Sequence, residues 1–573
     1  MNFFLTLNKH GNVSFSPFQE RDKLDPSIIS ALSDSLPLSL IQAVQEQLDR
    51  RDPFGFWHKG SKRKDIKLRI LTILKAFARD SQHFTWKEIH PRSPISDGGL
   101  EEHLEDRPED QICKGFNRLV LARQLSMGDL RGLARELSIK HEDIIKLAHG
   151  NVEKGWAQWV PAVKSHDGGW QCQRCGEKDV AEWPSHYGVA ATCPSCESIG
   201  SSTSLDVLYR DQRPLLDSPS EVLLQPHWVL TEAQRKASEQ VLEFLQDDSV
   251  DTALLWAACG AGKTEVCFPS AAWALKQGKS VLFAAPRQDV INDVAPRLKR
   301  DFPEYPFQVL TGTSSVKFKP GGMVLATTHQ VLRFWRAFDV IFMDEMDAFP
   351  YHGSRALEWG LNHALRQDGK MLYLTATPSP ESLKAVRLGK MALIRLPARH
   401  HRHVLPVPSW ERFRHSLEPK GCKDVKVSHI EALRALGPVL VFVPKISWID
   451  PWIKSLQHQF PNWRVDGSYS SDPGRSGRVE RLRRGEFDLF VSTTILERGI
   501  TLPGIQVIVL AADHPVFDER ALVQMAGRVG RTQESPVGRV VFMAKHRTQA
   551  IRTAVQWIEE QNKLAQELGL IDS

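Results

Sequence analysis

From about Leu230 the chain settles into a repeating pattern. Short apolar runs at 253–256, 280–284, 324–326, 340–343 and 371–374 alternate with longer segments of helical periodicity. After about Arg399 the alternation recurs, with runs at 439–443, 489–491, 507–510 and 540–543. Runs this short and this apolar predict strands buried on both faces, and the helices between them predict a parallel sheet covered on each side. Two α/β units in tandem are expected, at 225–398 and 399–573.

The first 150 residues read differently. Ile66, Ile70, Ile73, Leu74 and Phe77 recur at helical spacing with Lys67, Arg69 and Lys75 between them, and helical patterns return from about 116 to 148. The region 1–150 is therefore expected to be mainly helical, and no chemistry is assigned to it. Its basic run Lys59, Lys62, Arg63, Lys64 reads better as a solvated face than as a phosphate contact. A polar, acidic stretch at 91–110 (Glu101, Glu102, Glu105, Asp106, Glu109, Asp110) reads as a linker or loop. So does 206–226, with Pro214, Pro219 and Pro226.

Composition narrows the classes. A chain of 573 residues holds about three or four domains. Its 42% hydrophobic and 25% charged content is that of an ordinary globular protein, and a net charge of +6 does not by itself imply nucleic acid. No run of about 18 apolar residues predicts a membrane span, and 1–21 lacks the pattern of a secretory signal. The protein is expected inside the cell, in the cytoplasm.

Four of the eight cysteines cluster, as Cys172-x2-Cys175 and Cys193-x2-Cys196 with 17 residues between the pairs. That spacing suits a tetrahedral zinc site, expected within 160–205. Four protein ligands leave no open position, so the Zn2+ would be structural. Disulfides are disfavoured because nothing points to an oxidising compartment. His166 and His186 are taken as surface histidines, and Cys113, Cys259, Cys267 and Cys422 as small apolar residues. Trp170, Lys178, Trp183 and Tyr187 flank the knuckles. They would either stack on bases of a single strand or complete a small core.

The segment from Leu254 to Glu265 follows a predicted strand and opens a helix: Ala257-Ala-Cys-Gly260-Ala261-Gly262-Lys263-Thr264-Glu265. It matches a phosphate-binding loop, with Ala257 where the usual pattern has its first glycine. Lys263 should reach the β- and γ-phosphates of ATP, and Thr264 should hold Mg2+. A second apolar run ends in Asp344-Glu345-Met346-Asp347; Asp344 would share the Mg2+ and Glu345 would polarise the attacking water. Upstream, Gln234 is placed to read an adenine edge. Thr375-Ala-Thr377 follows another strand, and its hydroxyls can link the acidic box to a polymer-binding surface. Gln524-Met-Ala-Gly-Arg528-Val-Gly-Arg531 places two arginines three apart, expected on one helical face, one of them acting as an arginine finger.

This set, in this order, resembles the superfamily-two helicases, built on two RecA-like lobes. Pro286 and Arg287 resemble part of their motif Ia, Thr327 and Thr328 part of motif Ib, 439–443 motif IV, and Thr493, Thr494 and Gly499 part of motif V. The resemblance implies that these positions, with Thr375 and Thr377, contact a nucleic-acid backbone or couple it to the cleft. A cysteine module directly before the first lobe, the Asp-Glu-Met-Asp box, and the segments 396–399 and 405–408 resemble the late-competence helicase family ComFA. That implies an ATP-dependent translocase of single-stranded DNA in natural transformation. A membrane uptake channel and other competence proteins would be its partners at the inner face of the membrane, without insertion into it. Replication-restart and repair helicases are the alternative.

Overall fold

The computed structural model describes the chain outside residues 11, 20–23, 25–26, 51–62, 78–83, 90–107, 167–168, 414–426, 497–501 and 573. Lys59 and Lys62 of the basic run, Glu101 to Asp106 of the acidic stretch, Cys422 and Gly499 lie outside the described residues.

Two parallel sheets form the body. The first orders its strands Phe307–Leu310, Met323–Thr327, Val281–Ala285, Phe338–Asp344, Leu365–Thr375, Thr252–Ala257 and Ala392–Leu396. The second orders them Ser409–Arg412, Val540–Ala544, Gln506–Leu510, Val439–Phe442, Leu489–Ser492 and Val465–Ser468. Each apolar run picked out in the sequence is one of these strands. Val281–Ala285, Met323–Thr327, Val439–Phe442, Gln506–Leu510 and Val540–Ala544 are buried at every position, as helices on both faces require. The covering helices are locally well specified. Glu232–Gln246 opens on a reciprocal capping box between Thr231 and Gln234. Gln288–Asp301 carries Asp289 in its first turn and Lys299 and Arg300 in its last, matching the helix dipole at both ends. Apolar packing continues from one lobe into the other, with Cys259 and Val523 at the junction.

Helices supply most of the regular structure before Ala157, as expected, among them Arg63–Phe77, Pro108–Val120, Met127–Glu136 and His141–Glu153. They are joined by a small antiparallel sheet that periodicity did not reveal, ordered Val13–Ser16, Asn2–Asn8, Ile28–Leu32 and Trp86–Glu88. A second antiparallel sheet orders Gln124–Ser126, Val207–Asp211 and Ala157–Pro161. This corrects the linker reading of 206–226 over 207–211; from 212 to 226 the chain has no helix or strand. Val207–Asp211 is a central strand buried at every position. Its polar residues are matched rather than solvated: the Arg210 guanidinium donates to Gln124 Oε1 at 2.8 Å, and Arg213 donates to Asp211. The cysteine knuckles are therefore an excursion between two adjacent strands of one sheet, and the N-terminal region and the knuckles form one unit.

That unit is fastened to the first lobe. The Gln124 amide donates to the Arg333 carbonyl at 2.8 Å and the Trp335 amide to the Ala122 carbonyl at 3.0 Å. The Arg210 guanidinium stacks 3.6 Å from the centre of the Trp335 ring. Gly176, at φ +74°, lies so close to Trp359 that a Cβ there would come within 2.2 Å of the indole.

Candidate functional site

The nucleotide site is built where the strand Thr252–Ala257 ends. Gly260 and Gly262 take φ of +80° and +78°, so the backbone wraps in a way a side chain would oppose. Lys263 emerges with its Nζ 3.0 Å from Asp344 Oδ1, and Thr264 Oγ1 donates to Asp344 Oδ2 at 3.3 Å. Burial works against the Lys263 ammonium, but Asp344 and then Glu345 outweigh it and hold it above its ordinary range. Glu345 sits at φ +54°, with its amide donating to Asp344 Oδ1 at 2.8 Å and to the Leu374 carbonyl at 3.0 Å. A non-glycine residue in that region is strained, and such strain concentrates at functional sites. Thr264 and Asp344 are placed as a pair of oxygen ligands for Mg2+ would be.

Gln234 holds this loop. Its Nε2 donates to the Ala261 carbonyl at 2.9 Å and its Oε1 accepts from the Thr231 amide at 3.0 Å. One N–H and one lone pair of the amide are committed to the protein, which leaves the second N–H and the second lone pair as the pair that could read an adenine edge. Glu265 is ion-paired to Arg297, which also binds Asp293; this bracket beside the phosphate loop had no signature in the sequence.

The second lobe closes the cleft. Gln524, Arg528 and Arg531 line one cavity of about 520 Å³ together with Gln234, Lys263, Thr264, Asp344 and Glu345. The two arginines are not on a helical face. The helix Glu519–Ala526 ends at Gly527, and Gly530 turns the chain at φ +66°, so both arginines lie in the turn beyond the helix. The turn still brings them to the same cavity. Gly527 permits the approach of the lobes, since a Cβ there would come within 2.4 Å of Cys259 Cβ.

A residue between the lobes completes the closure. The Arg399 guanidinium is 1% exposed and meets four carbonyl oxygens. Nε donates to Cys259 at 2.7 Å, Nη1 to Val529 at 2.7 Å and to Gly530, and Nη2 to Gly527 at 3.1 Å. Burial first, and then Arg531 beside it, bring its pKa down to about 9, which leaves it charged at neutral pH.

The acidic box is linked outward. Asp347 accepts from Thr375 Oγ1 at 2.7 Å and from Thr377 Oγ1 at 2.6 Å, joining the box to the next strand. The remaining positions singled out in the sequence sit at carboxyl ends of strands. Thr327, Thr328 and Pro286 are buried, whereas Arg287, Thr493 and Thr494 are half-buried. Arg287 Nε donates to the Phe349 carbonyl at 3.4 Å.

The four cysteine sulfurs lie within 4.8 Å of one another and are buried. The Cys172–Cys196 and Cys175–Cys193 sulfur separations of 3.7 and 3.5 Å are too long for disulfides. They match the edge of a tetrahedron, about 3.8 Å, drawn around Zn2+ at about 2.3 Å from each sulfur. Four thiolates and one Zn2+ carry net negative charge, and the buried guanidiniums of Arg174 and Arg210 lie near enough to interact with it. The donor set fits zinc. Of the flanking aromatics, Tyr187 accepts from Asn2 at 3.0 Å and Trp170 packs on the core; Trp183 stays partly exposed, and His186 is exposed.

Residues 227–380 match the family described as type III restriction enzyme, res subunit, and residues 426–533 match the helicase conserved C-terminal domain. The chain is 32% identical over 450 residues to competence protein ComFA of Bacillus subtilis, covering 77% of this chain and 95% of that one. It is 34% identical over 417 residues to competence protein ComFA of Streptococcus pneumoniae, covering 72% and 95%. The chain belongs to the ComFA family. As a ComFA-family protein it is an ATP-hydrolysing superfamily-two helicase, and its ATPase domains imply ATP and Mg2+. Among solved structures, S. cerevisiae Dbp5 bound to RNA and ADP BeF3 aligns at 16% identity and a TM-score of 0.43, over 60% of this chain and 93% of that one. Among the described residues of this ComFA-family chain, no helix is long and apolar enough to cross a membrane.

Proposed function

We propose that this chain is an ATP-driven translocase of single-stranded DNA that serves the uptake of transforming DNA. The observation that carries the ATPase half is the cleft itself. Lys263, Thr264, Asp344 and Glu345 stand on one wall and Gln524, Arg528 and Arg531 on the other, around one cavity. The competence half rests on the two relatives, both named competence proteins.

In this reading Gly260, Ala261, Gly262 and Lys263 cradle the phosphates, and Thr264 and Asp344 hold Mg2+, which neutralises phosphate charge when bound. Glu345 orients the attacking water. Arg528 or Arg531 meets charge developing on the transferred phosphoryl group from the opposite lobe. Cleft closure would then reach the polymer through Asp347, Thr375 and Thr377, and the positions around Arg287, Thr328, Thr493 and Gly499 would hold its backbone. The division of labour is a helical N-terminal region at 1–150, a zinc module at 160–205, and lobes at 225–398 and 399–573. A membrane DNA channel and other competence proteins are the proposed partners, with the protein peripheral at the inner face of the membrane.

The test is ATP turnover by the purified chain with no polymer, single-stranded DNA, duplex DNA or RNA. Strong stimulation by single-stranded DNA alone is expected. Equal stimulation by RNA would refute the choice of polymer. Unwinding of forked duplexes would instead favour a replication-restart or repair helicase.

A further inference from the structure

The loop that follows the acidic box exposes one large aromatic ring and buries the residues around it. Phe349 is 77% exposed, whereas Asp347, Ala348 and Tyr351 are buried. The loop is anchored on both sides of the ring. Asp347 is held by Thr375 and Thr377, and Tyr351 packs in the apolar core. The Ala348 amide donates to the Glu345 carbonyl at 2.9 Å, the His352 amide to the Ala348 carbonyl at 3.0 Å and the Ser354 amide to the Tyr351 carbonyl at 3.0 Å. A single exposed ring is ordinary on a protein surface. The position of this one gives it meaning.

The strand Phe338–Asp344 ends five residues before Phe349, and its parallel neighbour Val281–Ala285 ends two residues before Arg287. Both segments therefore leave the sheet at its carboxyl edge, where ligands of such sheets bind. They meet there, since Arg287 Nε donates to the Phe349 carbonyl at 3.4 Å. The nucleotide cavity takes the part of this edge around Lys263, Asp344 and Glu345, and neither Arg287 nor Phe349 lines it. Further along, the loop reaches the second lobe, where His352 Nε2 lies 3.1 Å from Arg520 Nη1. Phe349 thus stands outside the nucleotide cavity, in a loop that touches both Arg287 and the opposite lobe. The other exposed residues of 345–354 are His352 and Gly353, so the ring is not part of an apolar patch. One ring is far too small for a protein interface, which covers about 800 Å² on each partner. One ring face beside a guanidinium does match one nucleotide of a single strand, with its base on the ring and its phosphate near the cation.

We propose that Phe349 is a stacking platform for one base of the single-stranded polymer. This rests on the translocase reading above. It adds a contact to a base where the positions drawn from the resemblance supply contacts to the backbone. Stacking uses the flat face that every base possesses, so the contact tolerates any sequence, as a translocase requires. It also brings the polymer to within two residues of Asp347, which joins the acidic box to Thr375 and Thr377.

The experiment uses the full chain and two fluorescent single strands of equal length, one of ordinary DNA and one abasic throughout. It reads affinity and its dependence on salt, with thermal melting to confirm folding. The wild type is expected to bind the ordinary strand more tightly than the abasic one. Phe349→Ala should weaken binding of the ordinary strand about 5- to 150-fold and leave binding of the abasic strand within about twofold. The slope of log affinity against log salt should stay as in the wild type, because no charge is removed. Phe349→Tyr should keep most of the affinity. Phe349→Leu, which stays apolar but has no flat ring face, should bind as weakly as the alanine variant. The tyrosine and leucine variants decide the point even if Phe349→Ala fails to fold. Equal losses on the two strands, a leucine variant that binds as tightly as the tyrosine one, or a folded Phe349→Ala chain with wild-type affinity for the ordinary strand would overturn the proposal. A wild-type chain that binds no single-stranded DNA would instead overturn the translocase reading itself.

Discussion

Replacing Arg399 by alanine tests whether the lobes close through the contact the structure shows. Three of its four carbonyl partners, Gly527, Val529 and Gly530, belong to the turn that carries Arg528 and Arg531; the fourth, Cys259, belongs to the phosphate loop. Only the 2.7 Å bond to Cys259 spans the lobes directly, so it sets the minimum effect on closure. A hydrogen bond from a charged donor contributes about 1.5–3 kcal/mol. Its loss would lower the ratio of closed to open cleft roughly 10- to 150-fold, at about 1.4 kcal/mol per tenfold change. If turnover requires the closed cleft, kcat should fall by about that factor. The KM for ATP should change far less, because Lys263, Thr264 and Gln234 all sit in the first lobe. Arg399→Lys keeps the charge but loses the planar fork, so it should fall between. The assay is steady-state ATP turnover at saturating single-stranded DNA, with thermal melting to confirm that the variant folds. A folded Arg399→Ala chain with kcat within twofold of wild type would refute the idea that this guanidinium sets closure.

Four further outcomes are expected. Lys263→Ala should abolish ATP turnover while leaving the far-UV circular dichroism unchanged; turnover surviving in a clean preparation would sink the phosphate-loop assignment. Cys172→Ser with Cys175→Ser should take zinc content, read by mass spectrometry, from one ion per chain to none. It should also lower the melting temperature, because the knuckle is packed on the first lobe. Asp347→Asn cannot accept from Thr375 and Thr377 with two equivalent oxygens, so stimulation of turnover by single-stranded DNA should drop towards the basal rate while basal turnover changes only a few-fold. Gly176→Ala should destabilise the chain by about 1–2 kcal/mol for the left-handed backbone and about 1–3 kcal/mol more for the clash with Trp359. In a Trp359→Ala background, thermal melting should show Gly176→Ala costing the first part only.

What could be read in the sequence follows from how each element is buried. Every strand legible as an apolar run is covered on both faces, as a parallel sheet between helix layers demands. The strands that went unread in the two lobes are Phe307–Leu310, Ala392–Leu396, Ser409–Arg412 and Val465–Ser468, and each lies at the edge of its sheet. An edge strand has one neighbour and a partly open face, so it needs no continuous apolar run; Ser409–Arg412 buries none of its four residues fully. Val207–Asp211 failed for a different reason. It is central, but Arg210 and Asp211 disguise it, and their partners Gln124 and Arg213 identify it as a strand only once the chain has folded.

The site divides along a similar line. The phosphate loop and the acidic box were legible because their chemistry is local: adjacent residues share one turn, and glycine, lysine and threonine at fixed offsets can do little else. Asp347 with Thr375 and Thr377 was half legible, since carboxylate and hydroxyl are visibly complementary but their distance in sequence hides the pairing. Arg399 could not be read as a clamp. Its hydrogen-bond partners are all main-chain carbonyl oxygens, which every residue possesses, so no complementary acid in the sequence marks the partner. Carbonyl recognition also suits the task. A carboxylate would bind an arginine strongly in any state in which the two could meet, whereas a set of carbonyls converges on one guanidinium only when the turns that carry them are correctly placed. Such a clamp reports on backbone geometry, and geometry is what must change when the cleft of a motor opens and closes.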